Sequence, residues 1–165
     1  MENVTISRSL EENWQDFKNI RLDALKNEPS AFGSSFEEEN EFTEELWKQR
    51  SLSALIAYSN NNPIGLLVYI INNRIKTKHV ATIYSVYVNK NYRGQGVGKK
   101  LINSALESIK KNSDVIKVDL AVNPEQVSAV KLYEYFGFKE VGRLSKEVFV
   151  DNKFYDQLLM ELILY

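Results

Sequence analysis

Residues 91–100 read NYRGQGVGKK, with glycine at 94, 96 and 98, Arg93 ahead of them and Lys99 and Lys100 behind. A run of β-branched and aromatic residues at 79–88, HVATIYSVYV, leads into the glycines and reads as a strand. After them, Val97, Leu101, Ile102, Ala105, Leu106 and Ile109 form one apolar stripe, which predicts an amphipathic helix over 96–111. A strand that feeds a Gly-rich turn into a helix N-terminus leaves backbone N–H groups pointing outward. The helix dipole adds about half a positive charge at the same place. Lys90, Arg93, Lys99 and Lys100 fall between positions 89 and 106, where no acidic residue occurs. The stretch reads as an anion cradle.

The rest of the chain sets that cradle in context. Its 165 residues suit one domain spanning 1–165, with a core large enough to need no staples. Hydrophobic residues make up 44% and the net charge is −1, which fits a globular chain and disfavours a nucleic-acid partner. There is no cysteine and one histidine, His79, so thiolate chemistry and multi-histidine metal sites are excluded; no metal is expected. The N-terminal residues lack the plan of a signal peptide, and no apolar run reaches the roughly 20 residues of a membrane span. A reducing, cytoplasmic setting without a membrane partner is the expectation.

Periodicity predicts a strand at 4–7, a helix at 10–26 and a second helix in the latter half of 34–50. Strands are expected at 54–59 and 64–71, joined by an Asn-rich turn, and at 115–122. Asn123, Pro124 and Gln126 look like N-cap, N1 and N3 of a helix that runs to Phe136 and stops at Gly137. Two last strands are expected at 139–150 and 154–164, the second ending in an apolar run that suits a buried strand or the seam of a homodimer. This order is an α+β fold with a parallel portion around the glycine loop.

Spacing removes two phosphate-binding readings. A Walker loop needs glycine where Arg93 stands and Ser or Thr where Lys100 stands. A dinucleotide fingerprint needs G-x-G-x-x-G, whereas the glycines here alternate.

Arg93-Gly94-Gln95-Gly96-Val97-Gly98 resembles the [QR]-x-x-G-x-[GA] signature of the GNAT superfamily of acetyl-CoA-dependent N-acetyltransferases. Ala129, Leu132, Tyr133, Glu134, Gly137 and Phe138 resemble the same family's A-x-x-L-Y-E-x-x-G-F helix at the expected distance downstream. The element order extends the resemblance over nearly the whole chain. It implies a mixed, mostly antiparallel central sheet of six to seven strands flanked by about four helices. It also implies acetyl-CoA as co-substrate, with direct transfer to a primary amine and no acyl-enzyme. Loop N–H groups from Gly94 to Lys99 would hold the pyrophosphate, between strands at 83–88 and 115–122 that splay apart. Val86 and Val88 would pair with the pantetheine arm through their main chain, the Val86 N–H polarising the thioester oxygen. Tyr133 would protonate the departing thiolate.

Three positions depart from the family pattern. The glutamates often used as bases correspond to Thr82 and Ala121, and the asparagine seven residues before the tyrosine is Gln126. The base is therefore unassigned. Tyr84 and Asp119 share strand parity with the two vacant positions, and a water-mediated path to an acidic residue is the preferred expectation. Glu37, Glu38, Glu39, Glu41, Glu44 and Glu45 suggest an acidic rim on the acceptor side that would draw in a cationic small-molecule or peptide amine, or else a solvated helix face. Two other readings stay open: an acyl-CoA-binding module with weak or no transferase activity, and a protein lysine or N-terminal acetyltransferase.

Overall fold

The computed structural model describes residues 3–164. Strand β1 (Val4–Arg8) is followed by helix α1 (Trp14–Asn27), two short helices α2 (Phe36–Asn40) and α3 (Glu44–Ser51), and strands β2 (Ala54–Ser59), β3 (Asn62–Ile71) and β4 (Val80–Val88). Then come α4 (Val97–Lys110), β5 (Lys117–Val122), α5 (Val127–Tyr135), β6 (Lys139–Val150) and β7 (Lys153–Ile163). The sheet has seven strands in the order β1-β2-β3-β4-β5-β7-β6. All neighbours are antiparallel except β4 and β5, which run parallel across the α4 crossover. The expected mixed, mostly antiparallel sheet is present, with five α-helices where about four were expected.

Period-2 alternation splits the core between the two faces of the sheet. Leu55 and Ala57 of β2 join Leu67 and Tyr69 of β3 beneath α4, whose stripe of Val97, Leu101, Ile102, Ala105, Leu106 and Ile109 is buried as the sequence predicts. Ala54, Ile56 and Leu66 face the other way, onto Phe17, Ile20, Ala24 and Leu25 of α1 and Trp47 of α3. Burying each such aliphatic side chain contributes about 1.5–3 kcal/mol.

Strand β4 breaks the alternation. Its pairing with β3 steps from Leu66↔Tyr87 to Val68↔Tyr84, so β4 carries an extra residue there, and Ser85 sits at φ +54°. The bulge inverts the facing of everything beyond it. Ala81 and Ile83 lie in the α4 core, whereas Tyr87 lies in the α1 core.

Two expectations need correction. The helix expected in the latter half of 34–50 is α3, started by Thr43 accepting from the Leu46 N–H, but a further short helix, α2, precedes it because Ser35 and Glu38 make a reciprocal capping box. The helix expected from Asn123 begins at Val127, with Gln126 at its N-cap. Asn123 instead makes an Asx turn, its Oδ1 accepting from the Glu125 N–H at 2.9 Å. The end of that helix matches the reading: Gly137, at φ +90°, donates to the Glu134 carbonyl while Phe138 donates to that of Tyr133, a Schellman pair.

Candidate active site

Strands β4 and β5 pair through Val80↔Lys117, Ala81↔Val118 and Thr82↔Asp119, and their ladder ends there. Beyond that point the bulge at Ser85 turns β4 away, and the strands diverge. The gap between them is small, about 30 Å³, and is bordered by Ser85, Val86, Ala121, Gln126 and Tyr133 among others. A cavity of about 930 Å³ opens toward α4 and α5, and one of about 980 Å³ opens toward α1 and α3. Ala31 and Phe32, from the turn after α1, border all three spaces.

The glycine loop forms one wall of the first cavity. Asn89 starts it by accepting from the Asn91 N–H at 3.1 Å, and a single 3₁₀ turn leads to Arg93. Gly94 and Gly96 have φ of +75° and +81°, and a Cβ on either would meet nothing within 4 Å. Glycine is needed there for backbone conformation rather than for space. Gly98 is different: a Cβ would lie 3.1 Å from Leu132 Cδ2, so this glycine lets α4 approach α5. Gly96 serves as the N-cap of α4 with no side chain to satisfy the first-turn N–H groups, which is the arrangement an anion needs.

Of the residues singled out in the sequence, Val86, Val88, Arg93, Gly94, Gly96, Val97, Gly98, Lys99 and Gln126 all line this cavity. Gln95 does not; its Nε2 donates to the Asn91 carbonyl at 3.3 Å and tightens the turn. Arg93 is a brace. Its Nε donates to the Val88 carbonyl at 2.8 Å and its Nη2 to Glu28 Oε1 at 2.7 Å, which ties the loop to the ends of β4 and α1. Lys99 lies over the Tyr135 ring at 3.8 Å, and Lys131 lines the same cavity. Lys100 turns away to donate to the Val4 carbonyl.

Tyr133 is buried against Phe138, ring to ring at 5.9 Å, yet its hydroxyl has no hydrogen bond among the described residues and borders the gap. Burial pushes its pKa above the ordinary 10.0, so the hydroxyl stays protonated through the neutral range. Across the gap, Thr82 Oγ1 donates to Asp119 Oδ1 at 2.6 Å, and both side chains line the second cavity together with Tyr84 and Ala121.

The acidic stretch at 37–45 contributes nothing to that lining, which corrects the expected acidic rim. The Glu38 carboxylate accepts from the N–H of Ser35, the N-cap of α2, and Glu39 is fully buried. Its Oε2 accepts from Arg21 Nε at 2.9 Å, and its Oε1 accepts from Arg21 Nη2 at 2.7 Å and Arg50 Nη2 at 3.2 Å. Burial raises the Glu39 pKa, but the Arg21 hydrogen bond and charge, with Arg50 and Ser34, outweigh it and hold the carboxyl below 4.5. Arg21 Nη1 continues to Ser85 Oγ at 3.0 Å, so the α1 cation fastens the β4 bulge. Sequence reading missed Arg21 and Arg50. The signal for Arg21 was a charge on the apolar face of α1, flanked by Phe17, Ile20, Ala24 and Leu25.

Comparison with known proteins agrees with this geometry. The chain is 33% identical over 97 residues to an uncharacterized N-acetyltransferase of Methanocaldococcus jannaschii, covering 58% of this chain and 42% of that protein. It is 31% identical over 105 residues to the spermidine N(1)-acetyltransferase of Vibrio cholerae, covering 64% and 59%. Both matches thus span less than two thirds of the relatives' own lengths. Among solved structures, a putative acetyltransferase from Salmonella typhimurium, determined with its cofactor acetyl-CoA, superposes with a TM-score of 0.80 at 16% identity, covering 99% of this chain and 95% of that one. The Acetyltransferase (GNAT) family model matches residues 14–138, three quarters of the sequence, and the chain belongs to that family, whose enzymes take acetyl-CoA as co-substrate.

Proposed function

We propose that the protein transfers the acetyl group of acetyl-CoA directly to a primary amine, the donor occupying the cavity beside α4 and the acceptor the cavity beside α1 and α3. The observation that carries this reading is the gap after Thr82↔Asp119. It shares lining residues with both cavities, and at its edge stands Tyr133, whose hydroxyl has no hydrogen bond among the described residues.

Each residue then has a task. The N–H groups of Gly94 to Lys99 bind the pyrophosphate, while Gly94 and Gly96 give the loop its left-handed turns. Lys99 and Lys131 add positive charge along the same wall. Arg93 holds the loop in place rather than the phosphates, since its guanidinium is occupied by Val88 and Glu28. Val86 and Val88 present main chain to the pantetheine arm, and the Val86 N–H polarises the thioester carbonyl. Gln126 stands where the strands diverge and lines both the donor cavity and the gap.

An alkyl ammonium has an ordinary pKa near 10.4 and must lose a proton before it attacks. Asp119 is the carboxylate that the acceptor cavity places at the end of the β4–β5 ladder, and it accepts this proton directly or through a water. The nitrogen lone pair then forms the new C–N bond as the C–S bond breaks. Tyr133 donates its proton to the sulfur, and the proton still to be lost by the nitrogen restores the hydroxyl.

The test is thiol release from acetyl-CoA across a panel of primary amines. Saturable release with at least one amine, lost in Tyr133→Phe while CoA still binds, is the expected result. Tight CoA binding with no release for any amine would overturn the reading and make the chain a binding module.

A further inference from the structure

The acceptor cavity has a charge pattern that the acidic stretch of the sequence does not suggest. Five charged side chains line it: Arg21, Arg50, Lys117, Asp119 and Glu161. Lys117 and Glu161 neutralise each other at 2.6 Å. Glu39, buried behind the wall, is one negative charge shared by two arginines. Arg21 is fully engaged, with Nε and Nη2 on Glu39 and Nη1 on Ser85. Arg50 gives Glu39 only its Nη2 at 3.2 Å and is 38% exposed. Its Nε and Nη1 have no hydrogen bond among the described residues. The Arg21–Glu39–Arg50 cluster therefore carries one unit of net positive charge, and the free donors belong to Arg50. The Phe42 ring, 5.1 Å from the guanidinium, holds it at the end of α3.

The same lining carries one negative side chain that no ion pair neutralises among the described residues. Asp119 lies on β5 at the gap, and its near neighbour Thr82 donates to it without adding charge. The cavity lining thus holds both charges, the Arg50 guanidinium from α3 and the Asp119 carboxylate from β5. A polyamine would place a cation against Arg50. A simple alkylamine would leave the fork unused.

Building on the transferase reading, we propose that the acceptor is an amino acid: a molecule whose primary amine meets Asp119 while its carboxylate takes the Arg50 fork. Guanidinium and carboxylate match in geometry, and a charge-assisted pair of this kind is among the stronger polar contacts a partly desolvated site offers. The apolar part of the lining, which includes Val68, Ile70 and Leu159, faces the remainder of the acceptor.

The experiment measures acetyl-CoA thiol release with α-amino acids, β-alanine, 4-aminobutyrate and 6-aminohexanoate, each beside the amine that lacks its carboxylate, with spermidine as the polyamine case. At least one carboxylated amine is expected to exceed its carboxylate-free partner by about ten- to hundredfold in kcat/KM. Arg50→Gln is expected to raise KM for that acid by a similar factor, leave kcat within about twofold, and not weaken the carboxylate-free amine. Arg50→Lys should restore part of the preference. Equal or better turnover of spermidine or of the carboxylate-free amines would overturn the inference while leaving the transferase reading intact, as would an unchanged KM in Arg50→Gln. No release with any amine, from protein shown by titration to bind CoA, would overturn both. The wild-type comparison stands even if a variant is unstable.

Discussion

Replacing Glu39 by Gln keeps the shape of the side chain and removes its charge. Arg21, 4% exposed, would then be a buried cation without a counterion, and Arg50 would lose its one partner. Breaking a buried pair by removing one member costs about 3–5 kcal/mol. An exposed pair would cost about 0–1. The bidentate contacts at 2.7 and 2.9 Å and the full burial of Glu39 place this pair in the first class. For a chain of this length the loss corresponds to a fall in Tm of about 6–20 °C. It is a large fraction of a typical total stability of about 5–15 kcal/mol. Urea denaturation at pH 7 should show a lower midpoint with an unchanged slope. The sign of the pH dependence follows from the depressed carboxyl. Its contribution is complete above the unfolded value of 4.5 and disappears as pH falls through the lower folded value, so wild type and Glu39→Gln should converge in acid. A loss below about 1 kcal/mol at pH 7, or a difference that persists unchanged in strong acid, would refute the assignment of Glu39 as the buried counterion.

Other perturbations test the rest of the site. Tyr133→Phe should lower kcat by about 10²–10⁴-fold, with a midpoint shift within about 1 kcal/mol because the hydroxyl makes no hydrogen bond among the described residues. Since burial raises the Tyr133 pKa above 10.0, the pH–rate profile should show no loss of a tyrosine acid below pH 10. Gly96→Ala places a side chain at φ +81° and should cost about 1–2 kcal/mol, together with weaker CoA binding by titration calorimetry. Gly98→Ala brings a Cβ to 3.1 Å from Leu132 Cδ2 and should perturb the donor cavity through the α4–α5 contact, seen as a raised KM for acetyl-CoA. Thr82→Val removes the hydroxyl that donates to Asp119 and should lower kcat/KM for the amine while leaving CoA binding by titration unchanged.

The glycine loop and its helix were readable because both depend on local signals: alternating glycines, an uninterrupted apolar stripe and a strand of β-branched residues. The bulge in β4 was not. Nothing in VATIYSVYV marks Ser85 as the extra residue, because the bulge exists only relative to its partners Leu66 and Val68. Tyr84 and Thr82 still share a face, as parity suggests, since both precede it. Asn123 and Pro124 are ambiguous in a different way. The same Asn side chain that caps a helix closes an Asx turn, and its Nδ2 donates to the Ser30 carbonyl at 3.3 Å. That tertiary contact lies 93 residues away in sequence. The acidic cluster misled for a related reason. Six glutamates look equivalent in a sequence, and only the docking of α2 against Arg21 separates Glu39 from the others.

The turn bearing Ala31 and Phe32 is common to the donor cavity, the acceptor cavity and the gap. It is anchored from the donor side at both ends, by Arg93 on Glu28 and by Asn123 on Ser30. A molecule that settles either cavity therefore settles a wall of the other. On the proposed transferase reading, any heterotropic linkage between donor and acceptor is expected to run through residues 28–32, and thermodynamic reciprocity requires that whatever factor the donor contributes to acceptor affinity, the acceptor returns to the donor.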